Sequence, residues 1–131
     1  MVSIARMIII LVYLASFPSQ ANCYVVGEFV GYSSRAGDDF EITTDAITDQ
    51  QFTVEFDGDD GKVVPSNLSC KPKGSNTLLC VSISEGGASV IETWSLYLDS
   101  KKVTFSKSSS GYGIFDGGTL MTGSILGKCK S

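Results

Sequence analysis

The sequence predicts an all-β fold: a single small antiparallel β-barrel or sandwich of about eight strands, disulfide-linked, behind a cleaved signal peptide. Three observations carry that expectation. After residue 21 the apolar residues alternate with period two and never hold the 3.6-residue rhythm of a helix beyond two turns. Turn-forming Gly, Asp, Asn and Ser clusters recur between the alternating runs. Four cysteines, an even number, follow an export signal, the context in which their spacing reads as a disulfide framework.

Met1 to Ala21 is the signal. Arg6 gives it a positive start, Met7 to Ala15 a short apolar stretch, and Ser19-Gln20-Ala21 small residues at the two positions a signal peptidase reads. The apolar run is far shorter than the roughly 20 residues that span a bilayer, so no membrane span is expected in the mature form. Cleavage leaves Asn22 to Ser131 as a single all-β domain in a secreted or periplasmic location.

The strands follow in order. Tyr24 to Tyr32 alternates and holds Gly27 and Gly31, the mark of a bulge or of another backbone close by. Phe40 to Thr44 reads as a short strand with Phe40 and Ile42 on one side, and Asp45 to Gln51 as a turn of helix or a loop. In Phe52 to Asp57, Phe52, Val54 and Phe56 point inward; Gly58 to Gly61 is then a tight turn, and Lys62 to Val64 a strand stopped by Pro65. Cys70 to Cys80 reads as a loop, and Leu78 to Ser84 as a strand with Leu79, Val81 and Ile83 on one face.

Val90 to Leu98 is the longest strand, with Val90, Trp94, Leu96 and Leu98 on its core face and Glu92 as the odd member. Lys102 to Lys107 pairs with it through a hairpin, Val103 and Phe105 inward. Ser108 to Gly111 reads as a loop, Tyr112 to Phe115 as a short strand, Asp116 to Gly118 as a turn, and Leu120 to Ile125 as the last strand. Of three connectivities the favoured one joins Cys23 to Cys129, tying first strand to last, and Cys70 to Cys80 across a local segment. That first bridge favours a barrel, since a closed sheet leaves no exposed edge.

The chemistry is read mainly by exclusion. The chain has no histidine, so Ser-His-Asp and Cys-His catalysis and zinc sites that need histidine are ruled out, and oxidised cysteines supply no thiolate. No catalytic residues, no metal site and no cofactor are expected. A carboxylate hydrolase would have to use Glu55 and Glu92, although Glu55 sits on the outward phase of its strand. Asp57 to Gly61 starts like a calcium loop, yet Gly61 and Leu68 stand where its fifth and twelfth ligands belong. Asn67-Leu68-Ser69 matches a glycosylation sequon and marks a surface loop.

Trp94 and Glu92 are the candidate ligand-pocket residues. The expectation for Trp94 is a core position first and a stacking platform second, and for Glu92 a strand-end acid in water before a buried acid lining a cavity. The second candidate is an acidic partner face. Between Ala36 and Gly61 stand nine acids and no base, including Asp38, Asp39, Glu41, Asp57, Asp59 and Asp60; loss of Arg6 takes the formal charge from −4 to −5. Lys101, Lys102, Lys107, Lys128 and Lys130 cluster late in the chain, but without interleaved exposed aromatics and in an acidic domain no nucleic-acid partner is expected.

Ser110-Gly111-Tyr112 and the ending Leu120-Met121-Thr122-Gly123 to Lys128-Cys129 resemble small periplasmic lysozyme inhibitors of the MliC type, whose eight-stranded barrel ends in a cysteine-bearing strand. Cys23-Tyr24 replaces that family's Tyr-x-Cys, and Gly117-Gly118 its Lys-Gly loop, so no functional residue is carried over. The expected function is a non-catalytic binding barrel for an unknown small ligand. The alternative is a lysozyme-inhibitor-like inhibitor or effector whose acidic face binds a basic enzyme.

Overall fold

A computed structural model describes residues 22–130; the signal read at Met1–Ala21 lies outside them. The strands are β1 (Asn22–Arg35), β2 (Ile42–Ile47), β3 (Phe52–Asp57), β4 (Asp60–Val64), β5 (Ser69–Lys73), β6 (Thr77–Ile83), β7 (Ser89–Tyr97), β8 (Lys102–Ser110) and β9 (Gly117–Lys128). Two single 3-10 turns, Ala36–Asp38 and Gly113–Phe115, cover one end. Every pairing is antiparallel, and β1 pairs with β9, so β1 and β3 to β9 close into an eight-stranded barrel rather than a sandwich.

β1 is the strand that organises the closure. Its first half pairs with β3 and its second half with β2, while β9 runs along its other side. β2 and β3 are thus one strand interrupted at residues 48–51, opposite a bulge in β1 where Glu28 adopts a positive φ of 59°. A bulge bends and twists its strand, and here it lets one strand serve two neighbours. At Gly31 the β9 backbone comes so near that an added Cβ would stand 2.7 Å from the Met121 Cα and against the Leu120 carbonyl. Only glycine closes the sheet at that point.

The interior is filled by Val26, Phe29, Val54, Val63, Leu78, Trp94, Leu96, Val103, Phe105 and Met121, all buried. Four aromatic rings form its centre. Phe29 meets Phe52, Trp94 and Phe105 edge-on at centroid distances of 5.9, 5.8 and 6.2 Å, and Trp94 lies 4.5 Å from Phe105. Both favoured disulfides are present. Cys23–Cys129 joins the first strand to the segment after the last, and Cys70–Cys80 bridges directly opposed residues of β5 and β6.

Several sequence expectations are corrected. The Cys70–Cys80 stretch is a hairpin, not a loop. Pro72 fits within β5 because the Cα atoms of Cys70 and Cys80 lie only 3.9 Å apart, the close spacing of a pair that exchanges no ladder bonds. Pro72, two residues on, shares that phase, so its missing N–H falls on the side away from β6. In β6 the inward face is Leu78 and Cys80, while Ile83 lies in solvent. Tyr112 to Phe115 is a 3-10 turn rather than a strand, since Gly111 and Gly113 take positive φ and the Asp116 carboxylate accepts the Gly111 and Tyr112 N–H groups. Phe40 stands in the turn before β2, and Asp45 to Ile47 extend β2 instead of forming a loop or helix. Finally, the closed sheet keeps one free edge. β4 ends at Val64, level with Thr53, and Pro65 turns the chain away, so among the described strands β2 has β1 as its only neighbour.

Candidate functional site

Beside that free edge the barrel wall is incomplete, and a cavity of about 400 Å³ opens there. Two neighbouring cross-strand rows supply Asp45, Met121, Phe105, Trp94, Thr119, Lys107 and Glu92 to its lining. The deeper row runs across the ladders as Asp45, Gly31, Met121, Phe105, Trp94 and Leu78; Asp45 ends it at the rim, and Met121, Phe105 and Trp94 with Phe29, Phe52 and Val63 make an apolar floor. The outer row runs Thr43, Ser33, Thr119, Lys107, Glu92 and Cys80 and is almost wholly polar. Arg35 at the end of β1, with Gln50, Pro65 and Ser66 from the two loops, completes the rim. Both rows follow from strand periodicity: alternate residues face inward, so each cross-strand pair repeats on the next strand at the same level.

The hydrogen bonds within the rim are specific. Ser33 Oγ donates to Asp45 Oδ2 at 2.6 Å and lies 2.9 Å from the Thr119 hydroxyl, while Asp45 Oδ1 accepts the Ala46 N–H. The Trp94 indole Nε1–H donates to Glu92 Oε1 at 3.3 Å. Glu92 is only 8 % exposed, which overturns the expectation of a strand-end acid in water. It follows Trp94 and Leu96 in phase on β7, so the alternation that fills the core also carries the carboxylate inside. Burial pushes its carboxyl above the usual carboxylate range, and neither the Trp94 bond nor the nearby Lys107 charge offsets that.

A pH dependence follows. A group whose folded pKa is raised stabilises the fold fully below its unfolded value, near 4.5, and that contribution is lost as pH rises through the folded value. Glu92→Gln keeps an acceptor for the indole and cannot ionise. Its melting temperature relative to the parent is expected to be near parity at about pH 4 and higher at about pH 7. A deficit of equal size at both pH values would show that the ionised carboxylate is not strained in the fold.

Trp94 and Glu92 therefore meet in one cavity, with Trp94 serving as core and as pocket lining at once. Glu55 does not join them; it faces outward from β3 in a shallow groove with Asp57, Asp60 and Lys62. The six acids of the second candidate are divided. Asp38, Asp39 and Glu41 follow the Arg35 end of β1, whereas Asp57, Asp59 and Asp60 form the β3–β4 turn beside Asn22 at the other end. Asp60 is also engaged by Lys71 in the one salt bridge among the described residues.

Sequence reasoning missed Arg35, Asp45 and Lys107 as rim residues. A signal existed for Lys107, which continues the inward phase of Val103 and Phe105 directly opposite Glu92. Comparison with protein-family models, with curated proteins and with solved structures finds no match.

Proposed function

We propose that the protein is a non-catalytic binding barrel that holds a small, largely apolar molecule in the cavity over Trp94. The cavity itself is the observation that carries this reading. About 400 Å³ falls within the usual span of small-ligand sites, roughly 300–1,000 Å³, and an aromatic floor under a few convergent polar groups is their usual composition. Glu92 is the one buried carboxylate among the described residues, and the other acid on the cavity, Asp45, has both oxygens engaged by Ser33 and the Ala46 N–H, so binding accounts for the site better than two-carboxylate hydrolysis does. A secreted or periplasmic location is part of the proposal, supported by two formed disulfides. No helix among the described residues is long and apolar enough to cross a membrane. The inhibitor reading has weaker support, because its acids are split between two ends of β1.

The test uses N-phenyl-1-naphthylamine, a neutral apolar dye whose emission rises on leaving water. The parent protein is expected to bind it saturably, and Thr119→Phe, which projects a ring into the cavity from β9, to weaken binding at least ten-fold. Equal binding by both proteins would place the dye elsewhere and remove the cavity as the site.

A further inference from the structure

The charges at the rim are unequally occupied, and that inequality deepens the binding reading on which this inference rests. Asp45 has both oxygens engaged by protein donors, Ser33 on one and the Ala46 N–H on the other. Glu92 accepts the Trp94 indole and is held toward its neutral form by burial. Arg35 and Lys107 stand otherwise. Both line the cavity and are half-buried, and neither lies within salt-bridge distance of a carboxylate among the described residues. Arg35 is moreover the only arginine after the signal segment, in a chain whose formal charge is negative. Asp45 is thus satisfied from within, Glu92 holds one internal hydrogen bond, and the cations have donors to give.

We propose that the ligand is an amphiphilic anion, its apolar body on the floor of Phe29, Phe52, Trp94 and Phe105 and its carboxylate or similar oxyanion between Arg35 and Lys107. A guanidinium presents paired N–H donors that match a carboxylate in two parallel bonds, and an ammonium adds a compact point charge. The partial burial of both groups raises the worth of such contacts over fully solvated ones. At about 30 Å³ for each water-sized group, the cavity has room for about 13 of them, which sets the size of the probe.

The experiment compares decanoate, decanol and decylammonium, below their aggregation thresholds and near neutral pH, by calorimetric titration of the disulfide-intact protein. Decanoate is expected to bind at least ten-fold more tightly than decanol, and decylammonium more weakly than either. In Arg35→Gln/Lys107→Gln the ratio of decanoate to decanol affinity should fall to near one. A parent ratio near one, or preference for the amine, overturns the anionic assignment while leaving a small-molecule site in place. Absence of binding by all three overturns the cavity reading as well.

Discussion

Replacing Cys23 and Cys129 together by alanine is expected to cost up to about 4.7 kcal/mol, the chain-entropy value for a loop of about 100 residues. The two cysteines are 106 positions apart, so the bridge closes nearly the whole described chain. It acts where the barrel itself closes, because β1 and β9 are the strands it locks and Cys129 N–H already donates to the Cys23 carbonyl at 3.0 Å. Removing Cys70–Cys80 should cost less, below about 3 kcal/mol. That bridge spans 10 positions within a hairpin whose register already holds the two residues opposite each other. Urea unfolding of the two double variants without reductant measures both losses. Equal losses, or a larger one for the Cys70–Cys80 pair, would contradict the role assigned to the terminal bridge.

Phe29→Ala is expected to lower stability by about 3–5 kcal/mol. The ring is fully buried, sits just beyond the β1 bulge, and touches Phe52, Trp94 and Phe105, so its loss removes contacts from three strands. It also lines the cavity, and its removal enlarges the space over Trp94. The midpoint of urea unfolding should fall with little change in slope. A loss under about 1 kcal/mol would mean that the aromatic cluster does not hold the barrel together.

The fold was legible where one physical constraint dominated. Alternation in Phe52–Asp57 and Val90–Leu98 located β3 and β7 because each strand buries one face and wets the other. The cysteine pairing was legible because a bridge from first strand to last is what a closed sheet permits. Failures came where backbone conformation outweighed composition. Tyr112 to Phe115 is apolar enough for a strand, yet two positive-φ glycines and the Asp116 side chain wind it into a turn. Hydrophobicity alone predicts a strand at Phe40, yet its positive φ of 59° puts it in a turn, 58 % exposed.

The candidate site was half legible. Glu92 is a charge in phase with the core face that carries Trp94, and the structure places both side chains on one cavity. The carboxylate's expected place in water fails because along a strand of nine residues the middle positions stay inside, and Glu92 is one of them. Arg35 and Asp45 could not be found the same way. Their inward placement depends on the β1 bulge, which resets the phase of its second half, and on β2 pairing there. Neither the bulge position nor that pairing is written in local alternation.

Because the chain has a single tryptophan, its indole Nε1–H gives one nuclear magnetic resonance signal, and that signal reports from the floor of the cavity. Following it during titration with N-phenyl-1-naphthylamine tests the account most directly. Binding over Trp94 should move the signal saturably, together with the amides of Phe105, Lys107, Thr119 and Met121. An unmoved indole, while amides elsewhere on the barrel shift, would contradict it.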